Sequence, residues 1–268
     1  MNNICEDLRD YIFEFVPNYP RDLSNYQLVC KRWKPVLQDK LDTVYWNKVE
    51  KLIGKIETDK LKQGAKFEGK LDLGKNNIDD EGCRYLAKGM VEMNGLKKLD
   101  LYNNNIGDNG CRHLIKGLVK MNGLEKLFVC DNNIGDDGCR YLAKGLVELK
   151  GLKTLSLYDN NIGNEGCRLL TKGLVKLIGL KRLNLCYNNI GDDGCHYLAE
   201  GLVEMNGLED LDLSYNNIGN EGCCYLAKGL VEMKGLEWLD LYNNNIGNDG
   251  KKVVQEAWNN AEHGTLRL

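Results

Sequence analysis

Six of the chain's eleven cysteines, Cys83, Cys111, Cys139, Cys167, Cys195 and Cys223, recur every 28 residues. Thiols in register invite two chemistries, disulfide pairing and metal ligation. The register itself argues against pairing, because neighbouring packed helices lie about 8–10 Å apart while bridged cysteines need Cα atoms within about 7 Å. Cys130 and Cys186 fall on strands two units apart, about 9–10 Å by strand spacing. All read as reduced thiols serving as small buried apolar side chains, which suits a reducing compartment, cytoplasmic or nuclear. The three histidines form no constellation. His113 takes the position of Tyr85, Tyr141 and Tyr197, His196 that of Arg84, and His263 lies beside the last turn. No Ser, Cys or Lys is set up as an activated nucleophile. The turn Asn188–Gly194 (Asn-Asn-Ile-Gly-Asp-Asp-Gly) lacks the spaced acidic ligands and terminal Glu of a calcium loop. The expectation is a protein without catalytic residues, metal or cofactor.

The elements that would position these residues obey the same spacing. Leu-x-Leu pairs (Leu-x-Val in the third unit) begin at Leu71, Leu99, Leu127, Leu155, Leu183, Leu211 and Leu239, and an eighth, Leu266-Arg267-Leu268, arrives one residue early. A fixed period of this length marks a stacked solenoid. The alternating leucines predict a strand with one face inward. An Asn column (Asn76, Asn104, Asn132, Asn160, Asn188, Asn216, Asn244) can satisfy backbone groups in the following turn. Ile78 and its copies then return to the core. Asp80, Asp108, Asp136, Asn164, Asp192, Asn220 and Asn248 are expected to be helix N-caps. Gly95, Gly123, Gly151, Gly179, Gly207 and Gly235 are expected to be left-handed C-caps. Leu86, Met90 and Val91 set the apolar helical stripe. Gly89 and its copies cost about 1 kcal/mol each relative to Ala, which close helix–helix contact would offset. Strands stacked at about 4.8 Å against helices at about 8–10 Å bend the array by about 20–25° per unit. The predicted fold is therefore α/β: seven strand–turn–helix repeats and a closing strand, a horseshoe with the parallel sheet on its concave side and helices outside.

The formal net charge of −3 gives no electrostatic reason to expect nucleic acid or an anionic membrane. No apolar run approaches the roughly 18–20 residues that span a bilayer. The start, Met1-Asn2-Asn3-Ile4-Cys5-Glu6-Asp7, does not read as a secretory signal. Comparing repeats within the chain, the framework is nearly invariant while residues assigned to the concave side differ. They include Tyr102, Phe128, Tyr158, Tyr187, Tyr215, Trp238 and Tyr242, with Lys70, Lys98, Lys126 and Arg182 preceding Asp210 and Asp240. Exposed aromatics over a concave sheet have the composition of a protein-binding hot spot.

The run Leu96-x-x-Leu99-x-Leu101-x-x-Asn104-x-Ile106, then Gly110, Leu114 and Leu118, resembles the ribonuclease-inhibitor type of leucine-rich repeat, over residues 67–268. Upstream the repeat stops. Leu8, Ile12 and Phe15 have helical spacing, Pro17 and Pro20 break it, and helices are expected over 22–30 and 32–38. Leu28-Val29-Cys30-Lys31-Arg32-Trp33, with Arg21-Asp22-Leu23 before it and Trp46 after it, is similar to an F-box. Ile4-Cys5 stands where that family usually opens with Leu-Pro. The resemblance implies an all-α module over 1–46 that docks on a Skp-type adaptor of cullin-based ubiquitin ligases. Leu8, Ile12, Leu23, Leu28 and Val29 would be adaptor contacts or core, and residues 47–66 a linker or N-terminal cap helix. It further implies a substrate receptor holding an unidentified protein target. Two other readings remain open: a scaffold or inhibitor whose N-terminus only caps the solenoid, and a regulator of a small GTPase.

Overall fold

The computed structural model describes residues 69–90, 95–262 and 264–268. Eight strands alternate with seven helices. The strands are β1 (Lys70–Asp72), β2 (Lys98–Asp100), β3 (Lys126–Phe128), β4 (Thr154–Ser156), β5 (Arg182–Asn184), β6 (Asp210–Asp212), β7 (Trp238–Asp240) and β8 (Thr265–Arg267). The helices are α1 (Asp80–Met90), α2 (Asp108–Leu118), α3 (Asp136–Leu146), α4 (Asn164–Leu174), α5 (Asp192–Leu202), α6 (Asn220–Leu230) and α7 (Asn248–Asn260). One parallel sheet runs in the order β1 to β8. Its register pairs Leu71, Leu99, Leu127, Leu155, Leu183, Leu211, Leu239 and Leu266 in a single column. Each helix packs on the next one, so the helices form a second layer parallel to the sheet.

Both members of each pair from Leu71 to Leu241 are buried, Leu155 and Leu157, for example, being 1% and 0% exposed, while Leu266 and Leu268 of the closing pair are half-buried. The buried pairs join the isoleucines, the helical leucines and the column cysteines in one continuous core. The asparagines knit that core along its axis. Asn104 Oδ1 accepts the N–H groups of Asn76 (3.0 Å) and Ile78 (2.9 Å), while its Nδ2 donates to Leu73 O and Leu101 O, both at 3.0 Å. Asn132, Asn160, Asn188, Asn216 and Asn244 repeat the bond to the preceding Ile N–H. A neutral amide suits the place because it donates and accepts at once without burying a charge.

Two capping expectations are corrected. Asp108, Asp136, Asn164, Asp192, Asn220 and Asn248 do not cap their own helices; they are the first helical residues, and the N-cap is the glycine before them, with no side-chain cap bond. Before Asp80 stands Asp79 instead, whose Oδ1 accepts from Gly82 N (2.7 Å). From Asp80 to Asn220, the side chains of the first helical residues reach across to the next repeat. Asp80 Oδ1 accepts from Gly107 N (2.8 Å) and Gly110 N (2.7 Å), and Asp192 Oδ1 from Gly219 N (2.6 Å) and Gly222 N (2.9 Å). Each carboxylate or amide thus caps its neighbour's helix, satisfying N–H groups that a helix leaves unpaired at its start. A Cβ at Gly110 would stand 2.6 Å from that Asp80 oxygen, so glycine is required there.

Gly123 and its copies are not left-handed C-caps either. Among the described residues the only glycine with positive φ is Gly69. The helices run out through right-handed turns, with Val119 N bonding Ile115 O, Met121 N bonding Leu118 O and Leu124 N bonding Met121 O. The terminal carbonyls are already satisfied, and no left-handed residue is needed. Close helix contact does explain the mid-helix glycines: a Cβ at Gly173 would lie 2.5 Å from the Ala143 carbonyl oxygen.

The left-handed position lies elsewhere, two residues after the second leucine. Lys75, Asn103, Asp131, Asp159, Tyr187, Tyr215 and Asn243 all have φ between 51° and 61°. Asn and Asp tolerate that conformation; a bulky side chain does so at a cost.

Candidate functional site

The strands are three residues long, and in β1 to β7 the central leucine is buried between two residues of the opposite face. Because strands stack more closely than helices, that opposite face is the inner side of the bend. Only two of the seven expected aromatics, Phe128 and Trp238, lie on strands. The five tyrosines follow the strands, and they occupy two positions. Tyr102, Tyr158 and Tyr242 come directly after the second leucine, whereas Tyr187 and Tyr215 come one residue later, at the left-handed position.

That offset brings them together. Tyr158 meets Tyr187 edge-on with ring centres 5.5 Å apart, Tyr187 stacks on Tyr215 at 4.0 Å and 10°, and Tyr215 meets Tyr242 edge-on at 5.8 Å. The result is one continuous row of four rings across repeats four to seven. A hydrogen bond with the Tyr215 side chain pushes the Tyr187 hydroxyl up to about 12, so Tyr187 remains a neutral phenol at physiological pH. A non-Gly residue held in the left-handed region costs on the order of 1–3 kcal/mol. Tyr187 and Tyr215 accept that strain where four of the other repeats place Asn or Asp and the first places Lys75.

Phe128 and Trp238 line a depression of about 490 Å³ on the strands between them. Thr154, Ser156, Arg182, Asn184, Asp210 and Asp212 supply its polar lining. Arg182 Nε holds Asp210 at 2.5 Å. Asp212 Oδ1 accepts from Ser214 N (3.0 Å) and Ser214 Oγ (2.6 Å), and Oδ2 from Asn184 Nδ2 (3.3 Å). Burial pushes the Asp212 carboxyl above its ordinary value of 3.8, and the Ser214 bonds pull it only part of the way back. Sequence reasoning missed Thr154, Ser156, Asn184 and Asp212. Their signal was present in the alternation that faces the residues on either side of each first leucine to the same side, but attention to ring size passed over small and acidic side chains.

Tyr102 stands apart from the row, with Lys75 Nζ 5.5 Å from its ring centre. The adaptor-contact expectation at Leu8, Ile12, Leu23, Leu28 and Val29 lies outside the described residues. The nine described cysteines are free, eight of them buried and Cys224 exposed. Burial pushes the thiols up, Cys83 and Cys223 to about 12, which disfavours the thiolate form at neutral pH. Among the described residues no group of three or more His, Cys, Asp or Glu is placed to hold a metal ion. No described helix is long and apolar enough to cross a membrane.

Residues 70–87, 94–114, 124–143, 152–170, 180–199 and 206–227 each match the model of the leucine-rich repeat. These six segments are leucine-rich repeats. The seventh unit, beginning at Trp238, continues the same strand register and helix packing beyond the last match. Comparison with curated proteins gave no match. The matched repeats point to a role in protein–protein interaction. The F-box resemblance lies upstream of all of them.

Proposed function

We propose that this chain is a receptor that binds a protein target on its concave sheet and carries it to a cullin-type ubiquitin ligase. The observation that supports target binding is the unbroken row Tyr158–Tyr187–Tyr215–Tyr242, two of whose members occupy strained backbone positions. Aromatic side chains supply much of the energy of protein interfaces, and strain kept outside a core points to a task other than stability. The ligase link is supported by the F-box-like sequence of residues 1–46, with Leu8, Ile12, Leu23, Leu28 and Val29 as adaptor contacts. The chain performs no chemistry in this reading. It raises the effective concentration of a bound target at the ligase, in the cytoplasm or nucleus.

The test has two arms. Purified full-length chain should retain a Skp-type adaptor at micromolar concentration, and Leu28→Asp should abolish this by placing an unpaired charge on an apolar surface. A target recovered by proximity labelling should lose about 1–3 kcal/mol of affinity on Tyr158→Ala or Tyr187→Ala. Arg168→Ala, which breaks only an exposed pair with Glu165 on the outer helix α4, should be nearly neutral. A chain that ignores the adaptor would favour the scaffold reading, with the N-terminal residues as a cap. One observation speaks for a cap. Among the described residues Asn76 Oδ1 is buried without a hydrogen-bond partner, at the place where later asparagines receive backbone N–H groups from the repeat before them.

A further inference from the structure

The concave aromatics differ in whether the chain lays a cation of its own over them. Lys75 covers Tyr102 at 5.5 Å, Lys98 covers Phe128 at 4.8 Å, and the Arg267 guanidinium lies 4.4 Å over Tyr242. Among the described residues none is placed over Tyr158, Tyr187, Tyr215 or Trp238. The carboxylates divide in the same way. Asp100 is held by Lys98 (3.0 Å), Asp210 by Arg182 (2.5 Å) and Asp240 by Arg267 (3.1 Å). Asp212, half-buried in the depression, is hydrogen-bonded only to Ser214 and Asn184 among the described residues, and Arg267 acts on it only through space.

Arg267 shows what chemistry this surface accepts. It stacks its guanidinium on a tyrosine while Nη1 reaches the buried carboxylate of Asp240. Asp212, one repeat before Asp240, and Trp238, on the same strand as Asp240, line the same depression and offer a carboxylate and a ring with no cation bonded to the one or placed over the other.

We propose that this depression receives an arginine side chain from a basic segment of the protein target, its guanidinium on Asp212 and against Trp238. The segment then runs along the tyrosine row. Arginine fits better than lysine because its planar, weakly hydrated guanidinium stacks on a ring and presents forked donors to a carboxylate together. A nucleic acid or acidic peptide is disfavoured, since it would bring negative charge to Asp212 and Asp240. Burial that raises the Asp212 carboxyl is relieved when a cation arrives. This inference rests on the concave-face reading and adds the chemistry of the occupant.

The experiment titrates full-length chain with three fluorescein-labelled peptides of equal length. They consist of glycine and serine with three arginines, three lysines or three glutamates. The arginyl peptide should bind, the lysyl peptide more weakly and the glutamyl peptide least. Asp212→Asn and Trp238→Ala should each weaken arginyl binding about tenfold, with circular dichroism confirming that both variants fold. Asp193→Asn, which removes the same charge from an exposed site on the outer helix α5, should leave it unchanged. Arginyl binding indifferent to Asp212→Asn, equal losses with Asp193→Asn, no arginyl binding, or a preference for the glutamyl peptide would each overturn the proposal. A protein target that requires Tyr158 but binds Asp212→Asn normally would overturn it while leaving the concave-face reading intact. A target indifferent to both tyrosines would overturn that reading itself.

Discussion

The first three repeats and the last four share one framework and present two different concave surfaces. In the first three, exposed rings and carboxylates are served by the chain's own lysines: Lys75 on Tyr102, Lys98 on Phe128 and Asp100. In the last four, rings serve each other, Tyr187 against Tyr215 at 4.0 Å, Arg267 takes Tyr242 and Asp240, and Asp212 is left without a bonded cation among the described residues. Beneath both surfaces the leucine column, the asparagine bonds and the cross-repeat caps are the same. A nearest-neighbour solenoid permits this, because each repeat's stability depends on its interface with adjacent repeats and not on what the outward residues touch.

The largest expected effect strikes the framework common to both regions. Burial raises the Cys83 thiol to about 12 from an ordinary value of 9.0, so the thiolate is favoured by unfolding. The folded state keeps its full stability below pH 9 and loses it as pH climbs toward 12. Cys83 alone contributes about 1.4 kcal/mol of loss at pH 10, and the other buried thiols add to it. Thermal melts between pH 8 and pH 10.5 should show a steep fall; a flat profile would mean that the column is more open to water than the structure places it.

Leu157→Ala removes a fully buried side chain at the centre of the stack. It should cost about 2–5 kcal/mol by cavity formation, read by denaturant unfolding. Unchanged stability would deny the inward placement of the second leucine in each pair.

Next comes the asparagine column, where the first repeat and the later ones should separate. Asn188→Ala strips Ile162 N–H and two carbonyls of a buried partner and should cost about 2–3 kcal/mol. Asn76→Ala should cost less than Asn188→Ala, because Asn76 Oδ1 has no partner to lose. Equal costs would remove the distinction between an end repeat and an interior one.

The smallest effects sharpen the contrast between the two surfaces. Asn103→Tyr puts a bulky residue at the left-handed position without a stacking partner like Tyr215, and should cost about 1–3 kcal/mol. Tyr187→Asn relieves the same strain but gives up ring contacts worth about 0.5–1.5 kcal/mol, so stability should change by less than about 1 kcal/mol. If Tyr187→Asn proved strongly destabilising, the row would be part of the fold and not a surface set aside for a partner.

Most of the architecture was legible in the sequence because periodicity reports on it directly. A 28-residue spacing dictates stacking, alternation in Leu-x-Leu dictates the strand face, and an amide after the strand answers the need to pair backbone groups in a tight interior. Asp108 shows where local reading fails. Aspartate just before a helix has the type of an N-cap, and nothing in one repeat reveals that its oxygen reaches N–H groups 27 and 30 residues downstream. Gly123 fails for a different reason: the chain leaves the helix through right-handed turns that already pair its last carbonyls, so the local signal of a left-handed cap is not used.

The candidate site was legible as a set of aromatic residues but not as an arrangement. The sequence by itself determined the solenoid, its single parallel sheet, the free buried thiols and which positions vary, because these follow from side-chain type repeated at a fixed interval. Only the tertiary structure decided that Tyr187 and Tyr215, one residue out of phase with Tyr158 and Tyr242, join them in one row. Likewise, only the fold placed Asp212 in the depression with Trp238 while Arg267 took Asp240. The physical reason is that backbone dihedrals and spacing between neighbouring repeats turn sequence offsets into distances. A left-handed residue sends a side chain where its position in the repeat alone does not.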